Sequence, residues 1–368
     1  MKIVITGANG FIGKNLVTML KENQYDDLIL ITRETTEDEL KSAILSADFI
    51  YHLAGINRPQ DPREFEIGNK GLTEVITNYL QSADKPIPIV FTSSTQAVKD
   101  NDYGLSKNAA ELSVKEYAKQ THSDAYIYRL PNVFGKWCKP NYNSFVATFC
   151  YNTANDLDIQ INDPNAPVTL VYIDDVCKEF ISLLGDDLSK KECKVEPEYQ
   201  TTVGYVAQKL KMFKESKQHL ISEPVGTGFT RALYSTYLSY FTPDQFSYTV
   251  PRYGDERGVF SEMLKTKDSG QFSFFTAHSG ITRGGHYHHT KNEKFLVLSG
   301  KAEFKFEHIL TGERFSLVVD GAESRIVETV PGWSHDVTNI GDSELVVMLW
   351  ANEIFDREAP DTFSKPLQ

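Results

Sequence analysis

No stretch of this 368-residue sequence comes near the ~20 consecutive apolar residues of a membrane helix, so no membrane span is expected. Cysteine is scarce. The four present (Cys138, Cys150, Cys177 and Cys193) show no C-x-x-C spacing, and they read as free thiols of a reducing compartment. Positive charge is in deficit: 38 Lys and Arg face 50 Asp and Glu, for a formal net charge of −12. That argues against a nucleic-acid partner, because phosphate binding needs clustered Lys and Arg. An anionic substrate stays open, since a site can be locally basic inside an acidic protein. Met1–Ile5 run straight into a strand, with no charged segment leading an apolar one, so no signal peptide is expected and the location expected is cytoplasmic. Internal repeats and low-complexity segments are also lacking.

What is there is the composition of a folded, soluble protein, 40 % apolar and 12 % aromatic, with length for one large core or two ordinary ones. Up to about Leu184, short β-branched runs (Ile3–Thr6, Leu28–Thr32, Phe49–Leu53, Ile87–Thr92, Tyr126–Leu130) alternate with amphipathic stretches (Gly13–Glu22, Ala109–Gln120, Asp174–Leu184). Such alternation predicts a doubly wound parallel sheet of Rossmann type, an α/β fold. Between 185 and 250, Lys190, Lys191 and Lys194 mark a loop, Val203–Lys214 reads as helix, and short segments could form a substrate cap. Beyond about Tyr248 short strands separated by turns predominate: Gln271–Ala277, Glu293–Leu298, Ala302–His308, Arg314–Val319, Arg325–Thr329 and Glu344–Trp350. These predict a small barrel or jelly roll. The expected division is residues 1–246 and 247–368.

The strand Ile3-Val4-Ile5 leads into Thr6-Gly7-Ala8-Asn9-Gly10-Phe11-Ile12-Gly13. Three glycines spaced by three, between strand and helix, allow a tight turn, a close approach to a pyrophosphate, and helix–strand packing. The helix N-terminus then offers free N–H groups to the phosphates. The next strand ends at Ile31-Thr32-Arg33. An arginine there suits a ribose 2′-phosphate, where a free 2′-hydroxyl usually meets a carboxylate, so NADPH is favoured over NADH.

Tyr103-Gly104-Leu105-Ser106-Lys107 places a phenol and an ammonium at i and i+4 on one helix face. The ammonium is expected to lower the phenol's pKa and fit it for proton transfer. Upstream, Ser93, Ser94 and Thr95 each offer a hydroxyl for the substrate carbonyl. Together with Leu53-Ala54-Gly55 and Arg129-Leu130-Pro131-Asn132-Val133-Phe134-Gly135, these residues resemble extended short-chain dehydrogenases acting on nucleotide sugars, over about residues 1–245. The resemblance implies Tyr103 as general acid, Lys107 as its tuning and ribose-binding partner, and Ser94 as the group orienting the carbonyl. It implies a cofactor site of Gly7, Asn9, Gly10, Phe11, Ile12, Gly13, Arg33, Leu53, Ala54, Gly55, Tyr103 and Lys107. Only residues 95–102 separate Ser94 from Tyr103, fewer than that family usually has, so the choice among the three hydroxyls stays open.

Farther on, Gly280-Ile281-Thr282-Arg283-Gly284-Gly285-His286-Tyr287-His288 is followed by Glu293 and Gly300, then His335 and Asn339. Residues i and i+2 of a strand point the same way, so His286 and His288 can face one ion, with Glu293 and His335 joining from neighbouring strands. Three imidazoles and a carboxylate suit Zn²⁺, Fe²⁺ or a similar divalent ion, with Zn²⁺ the first choice. The spacing resembles the cupins, all-β jelly rolls, fully in their first motif and more loosely in their second. Asp255–Glu262 and Arg283–Tyr287 also resemble epimerases of 4-keto-6-deoxyhexose nucleotides. That second likeness implies His286 as a proton-abstracting base, Arg283 as a substrate anchor and Lys294 near the carbonyl. Ligand and base are competing roles for His286.

The order of modules, and long stretches such as Trp137–Ser144, Leu233–Tyr240 and His288–Leu296, resemble the enzymes of capsular polysaccharide synthesis that fuse a short-chain dehydrogenase to a cupin. That resemblance implies a homodimer acting on a UDP-linked 4-keto-6-deoxy-N-acetylhexosamine, with C3 epimerisation by the cupin and NADPH-dependent C4 reduction by the dehydrogenase. Two other readings stay open: a reductase with a structural, metal-stabilised dimerisation cupin, and a non-catalytic sensor of sugar and NADPH. Whether the metal is catalytic or structural is open as well.

Overall fold

The structure is a computed structural model and describes residues 1–185 and 192–367, so Lys190 and Lys191 lie outside the described residues. Two compact units emerge: Met1–Lys211 with Arg231–Phe241, and Met212–Thr230 with Thr242–Gln368.

The first unit opens with β1 (Ile3–Thr6), α1 (Phe11–Glu22), β2 (Leu28–Ile31), α2 (Glu37–Ser46) and β3 (Phe49–His52). A single turn, α3 (Arg63–Phe65), runs through a π-helical turn at Glu66–Gly71 into α4 (Leu72–Gln81). Then follow β4 (Ile89–Ser94), α5 (Asp102–Thr121) and β5 (Ala125–Leu130). The five strands form a wholly parallel sheet in the order β2-β1-β3-β4-β5. Every residue of β1 and β3 is buried, as helices on both faces of a parallel sheet require. The order reverses between β1 and β3, which opens the crevice where such sheets bind their ligands. A second sheet joins β6 (Asn132–Phe134), β7 (Pro167–Tyr172) and β8 (Glu198–Thr202), interleaved with α6 (Phe145–Ala154) and α7 (Ile173–Ser182).

After α8 (Val203–His219) come β9 (Ile221–Ser222) and α9 (Gly228–Leu238). β9 pairs with a strand of the second unit, which explains why Met212–Thr230 groups there although the sequence division assigned it to the first. The second unit is a jelly roll of two facing sheets. One holds β9, β10 (Tyr253–Asp255), β11 (Gly258–Thr266), β12 (Gly270–Ala277), β14 (Glu293–Ser299), β17 (Ile326–Glu328) and β19 (Leu345–Ala351). The other holds β13 (Thr282–Tyr287), β15 (Lys301–His308), β16 (Arg314–Asp320), β18 (Trp333–Asn339) and β20 (Phe363–Ser364). Along β15, Ala302, Phe304 and Phe306 point inward and Glu303 and Lys305 outward. Phe275, Phe295, Phe304, Val337 and Val347 fill the space between the sheets. Each such side chain is worth about 1.5–3 kcal/mol on burial.

Among the described residues, no helix is long and apolar enough to cross a membrane.

Candidate functional site

The glycine-rich loop after β1 sits at the crevice. Gly7 has φ +70°, and a Cβ there would lie 2.8 Å from the Ala54 nitrogen and 3.0 Å from the Leu53 carbonyl carbon. A Cβ on Gly13 would lie 2.3 Å from the Gly7 oxygen, so α1 can approach β1 only without a side chain. Gly10 precedes α1 and caps it with no side-chain bond, leaving first-turn N–H groups for an anion. The loop also leans on β2: the Gly7 N–H donates to the Ile31 oxygen at 3.1 Å. Arg33, two residues farther, is exposed beside it.

Ser94 ends β4. The chain then makes a 3₁₀ turn (Thr95–Val98) and enters α5, whose N-cap Asn101 accepts the Gly104 N–H at 2.8 Å. Gly104 makes the short connection possible. A Cβ there would lie 2.4 Å from the Lys99 oxygen and 2.5 Å from the Gln96 oxygen. With the helix start pressed onto the turn, Ser94 reaches the Tyr103 phenol despite the brief connector.

The three candidate hydroxyls now separate. Ser93 is buried and donates to Glu111 Oε1 at 2.6 Å. Ser94 faces Tyr103, and Thr95 is exposed. Burial raises the Tyr103 pKa, with the Ser94 hydroxyl opposing in part. The direction is opposite to the lowering expected from Lys107, whose ammonium donates to the Thr92 oxygen at 3.1 Å. Lys107 is itself pushed down to about 8 by burial, against the pull of Glu111.

Three residues of this site escaped the sequence reading. Asn69, in the π-helical turn, donates to Ser106 Oγ (2.9 Å) and the Ile56 oxygen (3.0 Å) and accepts the Ile56 N–H (2.8 Å). A Cβ on Gly55 would lie 2.8 Å from Lys107 Nζ and 2.9 Å from Asn69 Oδ1, so the loop after β3, Lys107 and Asn69 share one small space. His52 spans Thr6 Oγ1 (2.7 Å) and Thr73 Oγ1 (2.9 Å), tying β1 to α4, and burial holds it neutral with a pKa of about 3. Glu111 takes two bonds from Arg129 (2.8 and 2.7 Å) besides that from Ser93. Its signal was available: Tyr103, Lys107 and Glu111 stand at i, i+4 and i+8. Asn69 and His52 gave no comparable pattern.

In the second unit, ligand atoms of His286, His288, Glu293 and His335 all lie within 4.8 Å of one another. His286 pairs with His335 across β13 and β18, next to a register shift at Gly284-Gly285. Gly284 has φ +108°, and a Cβ there would meet the His335 oxygen at 2.8 Å. This glycine bulge re-aims His286 into the barrel. His288 stands just past the end of β13, and its ring centroid is 5.0 Å from that of His286.

Glu293 Oε2 is 3.4 Å from His288 Nε2 and 3.3 Å from His335 Nε2. Neighbouring ligand atoms on a tetrahedral ion with bonds of ~2.0–2.1 Å are about 3.4 Å apart. Both ring nitrogens of the buried His335 lack a hydrogen-bond partner, which leaves a lone pair free for an ion. Burial holds His286 at a pKa of about 4, the neutral form a ligand needs. Burial would raise Glu293, but His288, His335 and Lys291 outweigh it and keep the carboxylate ionised. The donor set therefore fits a divalent ion.

Arg283 lies over the Phe275 ring at 5.5 Å, with its Nε buried and unpartnered, and Asp255 and Arg257 are charged neighbours. Lys294 is a correction. Alternation along β14 turns Glu293 inward and Lys294 outward, where it pairs with Glu328 at 2.5 Å. The cation beside the cluster is Lys291, buried and 3.0 Å from Glu293 Oε1.

A glycine-cradled crevice with a Tyr/Lys pair, followed by a jelly roll with a three-histidine, one-carboxylate cluster, defines the class: a Rossmann-type dehydrogenase fused to a cupin. The chain belongs to the NAD dependent epimerase/dehydratase family, which it matches over residues 3–195, and residues 253–363 match the polysaccharide biosynthesis C-terminal domain. Over its whole length it has the architecture of CapF. It superposes on the capsular polysaccharide assembling protein CapF from Staphylococcus aureus with a TM-score of 0.93, 43 % identity and full coverage of both chains. It is 54 % identical to a UDP-2-acetamido-2,6-beta-L-arabino-hexul-4-ose reductase from Pseudomonas aeruginosa, over 99 % of this chain and 98 % of that one. A UDP-glucuronic acid 4-epimerase from Bacillus cereus, 17 % identical with a TM-score of 0.54, shares the fold over 65 % of this chain and 99 % of its own.

Proposed function

We propose that the chain is a cytoplasmic, homodimeric, bifunctional nucleotide-sugar enzyme. The cupin epimerises C3 of a UDP-2-acetamido-2,6-dideoxy-4-ketohexose. The dehydrogenase reduces the C4 ketone with NADPH to UDP-2-acetamido-2,6-dideoxy-L-talose, toward UDP-N-acetyl-L-fucosamine for capsule or O-antigen. The observation that carries the reading is one chain holding both clusters, Ser94–Tyr103–Lys107 and His286–His288–Glu293–His335. The 54 % identity to a reductase named for a 4-keto sugar supports the substrate class.

The two chemistries share an intermediate. A 4-ketone acidifies the C3 proton. Its removal sends the electron pair into the carbonyl as an enolate, and a proton added to the opposite face of C3 restores the ketone. A divalent ion, Zn²⁺ by its donor set, held by His286, His288, Glu293 and His335 would supply Lewis-acid stabilisation of the oxyanion. Arg283 and Lys291 are this chain's own cations for that charge and for the substrate's phosphates.

For reduction, bound NADPH would supply a hydride to C4. Gly7, Asn9, Gly10, Phe11, Ile12, Gly13, Leu53, Ala54 and Gly55 would line its site, and Arg33 would receive the 2′-phosphate. Tyr103, raised by burial and so protonated at neutral pH, gives its proton to the C4 oxygen. Ser94 hydrogen-bonds that oxygen, and Lys107 holds the nicotinamide ribose.

The test is incubation of the full chain, loaded with Zn²⁺, with the 4-keto substrate in D₂O and no NADPH. Deuterium at C3 supports epimerisation. A metal-loaded protein that exchanges nothing yet oxidises NADPH in a parallel incubation with that cofactor is instead a reductase with a structural cupin. A protein that does neither, while binding sugar and NADPH, is a sensor.

A further inference from the structure

The C-terminal segment runs along both strands that carry histidine ligands, β13 and β18. β20 pairs with β13, setting Ser364 opposite His286 and Phe363 opposite Tyr287. Phe363 stacks on Tyr287 with ring centroids 5.4 Å apart. The Lys365 N–H donates to the Gly285 oxygen at 2.8 Å, and Ser334, beside His335, donates its hydroxyl to the Lys365 oxygen at 2.5 Å.

Asp361 makes the closest connection. Its backbone oxygen is 2.5 Å from His288 Nδ1. A carbonyl only accepts, so Nδ1 carries the proton and Nε2 keeps its lone pair, pointed at the Glu293 side of the cluster. The Asp361 carboxylate occupies a nest of three successive backbone N–H groups: His289 (3.0 Å to Oδ1), Thr290 (2.7 Å to Oδ2) and Lys291 (2.8 Å to Oδ2). The Thr290 hydroxyl adds a bond at 3.0 Å. The side chain thus anchors the loop between two ligands while the main chain orients one of them.

We propose that Asp361 is a positioning residue of the metal centre, fixing the His288 tautomer and the 289–291 loop, and that the C-terminal strap is part of the site. The inference rests on the reading of the four-residue cluster as a metal centre. Buried partners of a ligating histidine typically govern metal affinity by 10–100-fold.

The test titrates full-length wild type, Asp361→Ala and Asp361→Asn with Zn²⁺ against a fluorescent chelator, and measures the rise in melting temperature that Zn²⁺ produces. Both variants are expected to bind Zn²⁺ about tenfold or more weakly and to show a smaller rise. A merely structural role would lower the melting temperatures of metal-free and metal-loaded protein alike and leave affinity within about twofold, which overturns the proposal. Wild type that binds no Zn²⁺ overturns the metal-centre reading itself. If both variants fail to fold, the ¹⁵N spectrum of the metal-free wild-type imidazoles decides: Nδ1–H at His288 supports the proposal, and Nε2–H overturns it.

Discussion

Lys291 Nζ and Glu293 Oε1 are paired at 3.0 Å inside the jelly roll, with each side chain under a tenth exposed. Lys294, next along β14, points away. Lys291→Ala should therefore slow C3 deuterium exchange by about 10²-fold, the scale for removing a preorganised cation from a developing oxyanion. Lys294→Ala should stay within about twofold of wild type by the same standard. Exchange is to be compared on protein with an intact melting transition, because unpairing a buried carboxylate can also cost about 3–5 kcal/mol. Loss of exchange on Lys294→Ala alone would restore the lysine that the sequence favoured.

Tyr103→Phe should lower NADPH oxidation by about 10²–10⁴-fold, the usual worth of a general acid. Deuterium exchange at C3 should persist. If exchange disappears as well, the division of labour between the units is wrong.

The reductase pH profile should report Lys107. Burial sets its pKa at about 8, with Glu111 holding it up. The charged form is present below that value and lost above it, so kcat/KM for NADPH oxidation should fall as pH rises through about 8. Glu111→Gln removes the supporting charge and should move the fall to lower pH. A profile unchanged by that substitution would count against the coupling.

Arg33→Ser should raise the KM for NADPH by about tenfold, the worth of a charge-assisted hydrogen bond of about 1.5 kcal/mol, and leave NADH little affected. Equal loss for both cofactors would assign Arg33 a role other than the 2′-phosphate.

Arg129→Ala leaves Glu111 buried with Ser93, Lys115 and the nearby charge of Lys107. Thermal or urea unfolding should show a loss near the low end of about 3–5 kcal/mol, since the Arg129 side chain is 41 % exposed and water screens part of the pair.

Much of this architecture was legible because period and punctuation are local properties. The β-branched run before Gly7, the i, i+4 relation of Tyr103 and Lys107, and the His286/His288 spacing each need only a few neighbouring residues. Boundaries moved where a side-chain bond decided them. α5 begins at Asp102, where Asn101 caps it, so the turn of Tyr103 and Lys107 and the stretch Ala109–Gln120 form one helix. Lys294 near the carbonyl was implied only by the epimerase likeness; neighbouring residues of a strand face opposite ways, and with Glu293 inward Lys294 faces out.

The sequence by itself determined the two modules, the glycine cradle, the Tyr/Lys pair and the four ligand-type residues, since each is encoded in short-range spacing. Only the tertiary structure decided that Ser93 belongs to Glu111 while Ser94 meets Tyr103, that Asn69 and His52 border the first site, and that Lys291 is the buried cation of the second. It alone brought Asp361 to His288, 73 positions away along the chain. Such pairings depend on which strand faces which, and burial then fixes their charge states, neither of which a local pattern of residues can carry.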